Sequence, residues 1–331
     1  MTTLRSDTIS GHNDDGPVLD CVLKYTSENY ITLPKGTTTQ SNRGRGLFMG
    51  GYAPSQYRTE IDYIQIQSLG NATDFGALSA TGVGEGADCS SSTRAIQGGG
   101  SLVDTMEYVT IANTSNTTDF GDLTVPRRSL NSLSSNTRGI WAGGTTNPAM
   151  SDVIDYVTIA TTGDATDFGN LTVGRRNMGT AASPTRGVFA GGNPGSSPLC
   201  DDTIDYITIA TTGDATDFGN LLAAYREMGG CSNGTRGIFA GGGPGSGVLN
   251  TIEFITISST GNTSDFVDLF VAAGNCCGTS NVTRGIFAGG AYFNTIQYVT
   301  ISTTGNAADF GDLTLSRILY SATSDSHGGL S

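Results

Sequence analysis

The 331-residue chain is poor in the side chains that most catalytic chemistry uses. Histidine occurs only twice, at His12 and His327, both near the chain ends. That argues against an enzyme built on a core histidine base and against a histidine-rich metal site. Charged residues make up only 14%, where about 25% is ordinary, so a charged helical bundle is disfavoured. Lysine is confined to Lys24 and Lys35 among 17 basic residues, and 17 − 30 leaves a net charge of −13. Broad binding to nucleic acid is disfavoured by that balance. The six cysteines (Cys21, Cys89, Cys200, Cys231, Cys276 and Cys277) form no Cys-x-x-Cys pair, which argues against structural zinc. They read as reduced thiols in small apolar positions, which suits assembly inside a cell. No run approaches the roughly 18 apolar residues of a membrane span. The start, MTTLRSDTISGHNDDG, lacks the apolar stretch of a secretory signal. No membrane insertion is expected.

Glycine is abundant, 48 of 331 residues, about twice the usual 7%. It follows no Gly-X-Y period, which excludes collagen. It follows a longer one. A phrase of the type RGIFAGG begins at Arg45, Arg94, Arg138, Arg186, Arg236 and Arg284, at steps of 49, 44, 48, 50 and 48 residues. A second phrase, of the type IDYITI, begins at Ile61, Met106, Ile154, Ile204, Ile252 and Ile296. A third carries an Asp-Phe pair at Asp74, Asp119, Asp167, Asp217, Asp265 and Asp309. Six copies of each cover residues 45–313. The first phrase is an apolar run ended by glycines, where the chain must turn or approach closely. The second is rich in β-branched and aromatic residues. The third follows a Thr/Gly/Asp turn. A fourth, weaker segment precedes each RG, as in residues 177–183 and 227–232. Four short strands per unit, with no helical pattern between them, predict an all-β fold, a β-propeller.

These phrases resemble the kelch family. That family closes its second strand with a double glycine, carries a tyrosine in the third and an aromatic in the fourth, and places an arginine before the next first strand. The matching positions in one unit are Gly191-Gly192, Tyr206, Phe218 and Arg226. The resemblance implies a propeller of six four-stranded kelch-like blades over residues 37–331. Seven blades, using a strand from about 29–37, is the alternative. The segment 317–329 repeats the pattern that precedes each RG, with His327 in the arginine position. Arg317–Ser324 is therefore expected to close the first blade beside Arg45–Gly51, pairing the two ends of the chain and removing an open edge. Residues 1–36 lie outside the repeat and read as an extended N-terminal arm.

Several motifs have a bland and a functional reading. Asp-Phe-Gly, which occurs five times, places a magnesium-binding aspartate in kinases, but no VAIK-like lysine or HRD loop accompanies it here. Repetition makes it a structural turn. Calcium needs six to eight converging oxygens, and DATDFGN supplies two aspartates, so a solvated turn is preferred. Paired carboxylates can cleave glycosides, yet no unequal pair stands out among six similar units. Gly82, Gly84 and Gly86 lack the lysine and helix of a phosphate loop. No catalytic residue, metal ligand or cofactor is expected. The RG arginines Arg138, Arg186, Arg236 and Arg284 read as structural clamps between blades, holding a carboxylate or a carbonyl.

Loop variation points to a binding face. The loops joining second to third strands and those leading into the next first strand emerge on one face by parity. Together they carry Tyr52, Tyr57, Arg58, Arg127, Arg128, Arg175, Arg176, Tyr225, Arg226, Tyr292 and Phe293, the residue types that interfaces favour. Near-identical repeats, abundant Thr, Gly and Asn, scarce lysine and the opening SDTISGHNDDGPV with LPKG resemble structural proteins of bacteriophage particles. That resemblance implies a non-enzymatic virion surface protein (capsid decoration, tail fibre or adsorption knob) docked to other virion proteins by residues 1–36. Its propeller would face a host glycan or protein, and it is compatible with a homo-oligomer. The alternative is a soluble kelch-type binding module for a glycan or protein.

Overall fold

A computed structural model describes residues 24–25, 31–32 and 44–330, except 55, 80–83, 246 and 291. The chain divides into two compact units, Met1–Asn42 and Arg43–Ser331. In the first, Lys24–Tyr25 and Ile31–Thr32 pair as an antiparallel ribbon. The remainder of the segment expected to be an extended arm lies outside the described residues.

The second unit is a β-propeller. Each repeat contributes four antiparallel strands in chain order: the weak segment innermost, then the RG phrase, then the IDYITI phrase, then the Asp-Phe phrase outermost. The expectation of six separate four-stranded blades, with seven as alternative, is corrected here. Four discrete four-stranded sheets form, and the strands of the fourth and fifth repeats belong to one seven-stranded sheet. The cause is the 17-residue strand Thr216–Ser232, outermost in one repeat and innermost in the next. Neither glycine nor proline interrupts residues 220–228. The crossing is also paired on both sides, through Asp201↔Tyr225 and Arg226↔Gly243. At the equivalent crossings Arg128 and Arg176 make only isolated bridges, to Thr145 and Asn193.

The first and last parts of this unit meet within its first sheet. Ser321–Ser324 supplies its inner strand beside Arg45–Met49, with Ser321 opposite Met49 and Ser324 opposite Gly46. The inner segments Ala87–Ser90, Asn131–Ser134, Gly179–Ala182, the end of Thr216–Ser232, Cys277–Ser280 and Ser321–Ser324 then neighbour one another in a closed circle around a central channel. Each discrete inner strand is the edge of its sheet, and the circle of neighbouring inner strands covers those edges.

Local chemistry explains why the repeats adhere. The phenylalanine of each Asp-Phe pair is buried and meets the aromatic of the third strand edge-on, as Tyr206 meets Phe218 at 6.0 Å. Above that aromatic lies the guanidinium of the RG arginine, 4.4 Å from the Tyr206 ring for Arg186. The same guanidinium donates to a carbonyl of the next repeat: Arg138 to Ile209 O, Arg186 to Ile257 O, Arg236 to Ile301 O and Arg284 to Ile66 O, all at 2.8–2.9 Å. A cation over a ring with its N–H groups on a carbonyl is held twice. The glycine of Asp-Phe-Gly is another contact of this kind. A Cβ on Gly169 would sit 2.5 Å from the carbonyl oxygen of Gly213 in the following repeat, and Gly213 N donates to Phe168 O at 2.7 Å. The triplet, expected as a structural turn, lies within the fourth strand and makes a close approach between repeats.

Candidate binding face and central channel

The crossings and the loops between second and third strands do share a face. Arg128 pairs with Thr145, Arg176 with Asn193 and Tyr52 with Ile318, each joining a crossing to such a loop. On this face large apolar side chains are left in solvent: Tyr57 (39%), Leu199 (53%), Val248 (44%), Tyr292 (45%) and Phe293 (47%). Tyr52 stands edge-on to Tyr57 at 5.3 Å across a two-residue hairpin. Arg58 lies 3.6 Å from Glu60. Arg128 and Arg226 are partly buried and lie 3.8 and 3.5 Å from Glu85 and Glu227. Arg176 and Tyr225 are half-buried.

Arg127 and Arg175 were expected on the binding face and are not there. Both are wholly buried. Arg127 contacts Asp155 and donates to Gly143 O and Val153 O; Arg175 lies 3.0 Å from Asp205. Arg317 does the same with Asp62 at 3.1 Å. At each of these crossings only the second arginine, Arg128 or Arg176, reaches the surface. The first of each pair turns inward because its sheet offers a buried carboxylate and carbonyl acceptors, Gly143 O and Val153 O for Arg127 and Phe189 O for Arg175.

At the centre of this face six residues with left-handed backbone surround the channel mouth: Glu85, Ser129, Asn177, Glu227, Asn275 and Leu319, with φ of 56–65°. Their amides hand on hydrogen bonds from repeat to repeat. Ser129 N donates to Glu85 O, Asn177 N to Ser129 O, Glu227 N to Asn177 O, Asn275 N to Glu227 O and Glu85 N to Leu319 O. The channel behind the mouth has a cavity of about 100 Å³, lined by Asp88, Ser132, Thr180, Gly230, Gly278 and Ser321 among others. Deeper still, the last residues of the inner strands form a serine circuit. Ser134 Oγ donates to Ser90 O, Ser90 Oγ to Ser324 O, Ser324 Oγ to Ser280 O, Ser280 Oγ to Ser232 O and Ser232 Oγ to Ala182 O, at 2.6–2.8 Å.

The circuit breaks at Ala182, which has no hydroxyl, and the C-terminus fills that place. The single-turn helix Gly328–Leu330 lies against Asn131–Ser134 and Gly179–Ala182. A Cβ on Gly329 would come within 1.8 Å of Ser134 O. His327 is half-buried, with Nε2 3.1 Å from both Ser134 Oγ and Ser90 O, while Gly329 N donates to Nδ1. Nδ1 accepts, so Nε2 carries the proton and donates. Burial pushes this imidazole down to about 4, so the ring is neutral near pH 7. In this tautomer Nε2, the nitrogen that faces Ser134, already carries a proton and cannot take the serine's, so the Ser–His contact serves as a plug contact. A histidine near the end of the sequence is thus central in space.

Asp88 is the other group that sequence reasoning missed. It is 5% exposed, and neither carboxylate oxygen has a well-formed hydrogen bond. Burial pushes it up to about 7, against the opposing influence of the Ser321 hydroxyl and the Arg317 charge. The available signal was positional: the matching inner-strand residues are Ser132, Thr180, Gly230, Gly278 and Ala322, and only this one is acidic. The described cysteines Cys89, Cys200, Cys231, Cys276 and Cys277 are buried free thiols, and burial raises the pKa of each, which keeps them un-ionised and poorly nucleophilic. No protein-family model and no curated protein matches the chain.

Proposed function

We propose that this β-propeller is a non-enzymatic binding module that recognises a protein or glycan through its loop-bearing face. The observation that carries the reading is that five of the ten exposed large hydrophobics among the described residues, Tyr57, Leu199, Val248, Tyr292 and Phe293, stand on loops between second and third strands. Solvated aromatics on a rigid scaffold lose little conformational freedom on binding. The loops differ in length and sequence while the sheets beneath them repeat, which is how function is grafted onto a scaffold. Tyr52, Arg58, Arg128, Arg176, Tyr225 and Arg226 would form the polar rim around these anchors.

The test is selection of ligands on a glycan array and from a displayed peptide library, followed by binding to Tyr57→Ala, Tyr292→Ala and Phe293→Ala combined. Loss of at least tenfold in affinity, about 1.4 kcal/mol, with an unchanged melting temperature supports the reading. Selected ligands that bind the triple variant equally well would refute it.

Two finer readings rest on sequence alone. A kelch-type relationship rests on the double glycine, the third-strand tyrosine and the crossing arginine. A virion-surface role adds residues 1–36 as a dock to other virion proteins; unchanged particle incorporation after deletion of 1–36 would remove it.

A further inference from the structure

The channel behind the loop face holds one feature that the binding-face reading does not use. Asp88 is the only acidic side chain on the inner strands, it is buried, and its two oxygens lack well-formed hydrogen bonds. Other buried carboxylates of the fold are served. Asp62, Asp155 and Asp205 have arginines, and Glu107 and Glu253 accept from Thr117 and Thr263. A buried carboxylate without such a partner is costly and is not needed to hold the inner strands together, since serine, threonine, glycine and alanine do so in the other five repeats.

We propose that the channel is a binding site for a primary ammonium group, carried by a small alkylamine or by a lysine side chain of a partner. Three observations select that chemistry. The charge to be matched is single, because Glu85 and Glu227 at the mouth already face Arg128 and Arg226, and Arg317 is committed to Asp62. Among the described residues no three acidic, cysteine or histidine side chains converge, so a divalent metal would lack its usual ligands. The cavity also offers hydroxyls rather than further charge: Ser132, Thr180 and Ser321 line it with Asp88. An ammonium has three donors and no acceptor, which suits one carboxylate and a ring of hydroxyl oxygens. The cavity of about 100 Å³, with Ala322 on its wall, is the space a short alkyl chain would take. The closed end, where His327 and Gly328–Leu330 fill the axis, makes the channel a blind pocket entered from the loop face.

The full-length protein would be titrated calorimetrically with n-butylamine, with n-butanol as the neutral isostere, and with a terminally blocked peptide bearing one lysine. Saturable one-to-one binding of n-butylamine, absent for n-butanol and weakened about tenfold or more in Asp88→Asn, is the expected result. Thr180→Val, which keeps the carboxylate, is expected to weaken binding several-fold and guards against misfolding of the first variant. Saturable binding of the peptide as well would assign the source to a partner's lysine; amine binding alone would assign it to a small molecule. No saturable amine binding, equal binding of n-butanol, or undiminished binding in Asp88→Asn and Thr180→Val would each overturn the proposal. Because the loop aromatics do not line the channel, this result is independent of the glycan and peptide selection.

Discussion

Arg175 and Asp205, both without solvent exposure, stand 3.0 Å apart and tie a crossing segment to the third strand of the sheet that it enters. The same tie joins Arg127 to Asp155 and Arg317 to Asp62. Where the crossing position holds Tyr225 or Ala273 instead, the third-strand aspartate is replaced by Glu253 or Gln297. These longer side chains reach other partners, Thr263 and Leu222 N for Glu253, and Val271 N and O for Gln297. The two positions vary together because a buried arginine needs a carboxylate at one length, and its absence needs a side chain that can find backbone or hydroxyl groups. Asp205→Asn should leave the buried guanidinium with only its longer pairing to Asp201 at 3.5 Å, at a cost of roughly 3 kcal/mol. Arg175→Met with Asp205→Leu should cost less than Asp205→Asn alone. Denaturant titration of the three proteins checks the order.

Val267 occupies the place of the glycine in the Asp-Phe-Gly triplets, with φ of 129°. A β-branched residue is strained there, and the five glycines show what the site prefers. Val267→Gly is expected to stabilise the protein by about 1 kcal/mol, despite the usual entropic cost of glycine. Gly169→Val should do the opposite and by more, because its Cβ would meet the Gly213 carbonyl at 2.5 Å. Equilibrium unfolding of both variants measures the contrast.

Asp88 and His327 pull the pH dependence of stability in opposite directions. The Asp88 carboxyl is raised from 3.8 to about 7. The folded state holds its proton longer than the unfolded chain, so stability from this group is lost as pH rises from about 4 to 7, on the order of 4 kcal/mol. The His327 imidazole is lowered from 6.5 to about 4. Its contribution is complete above 6.5 and is lost as pH falls toward 4, on the order of 3 kcal/mol. The two slopes largely offset one another between pH 4 and 6.5. Asp88→Asn should therefore make the protein lose more stability than wild type on acidification. His327→Gln should make it lose more than wild type as pH rises. Melting temperatures from pH 4 to 8 for the three proteins read both effects.

The C-terminal plug should matter beyond its length. Deleting residues 327–331 removes the imidazole contacts to Ser134 and Ser90 and leaves the gap at Ala182 open. A loss of roughly 2–3 kcal/mol is expected, since buried serine and carbonyl groups then lose partners. Ala182→Ser in the deleted protein should recover part of it by completing the serine circuit. Thermal unfolding of the two truncated proteins tests this.

Much of the scaffold was legible because each phrase of the repeat does one physical job. RGIFAGG marks a buried strand with a turn, IDYITI alternates a buried acid and an aromatic, and Asp-Phe-Gly marks a close contact. Closure by Ser321–Ser324 was legible because residues 317–329 repeat a pattern that otherwise precedes an RG strand. The number of separate sheets was not, because the merging of two repeats depends on pairing at Tyr225 and Arg226 across both neighbouring loops, which no local phrase records. Arg127 and Arg175 look like their neighbours Arg128 and Arg176 in the sequence; only the position of Asp155 and Asp205 in space decides which of each pair turns inward. Asp88 escaped notice, and His327 stood out only as a stand-in for a strand arginine, because each breaks a repeat rather than obeying it; their meaning appears once the inner strands close into a circle.

The most direct test of the binding-face assignment is hydrogen–deuterium exchange of the full-length protein with and without a ligand selected as above. Protection confined to the loops 52–58, 145–152, 193–200, 243–250 and 289–294 and to the channel mouth is expected. Protection on the outer Asp-Phe strands, or on the turns between first and second strands at the plugged end, would contradict the assignment.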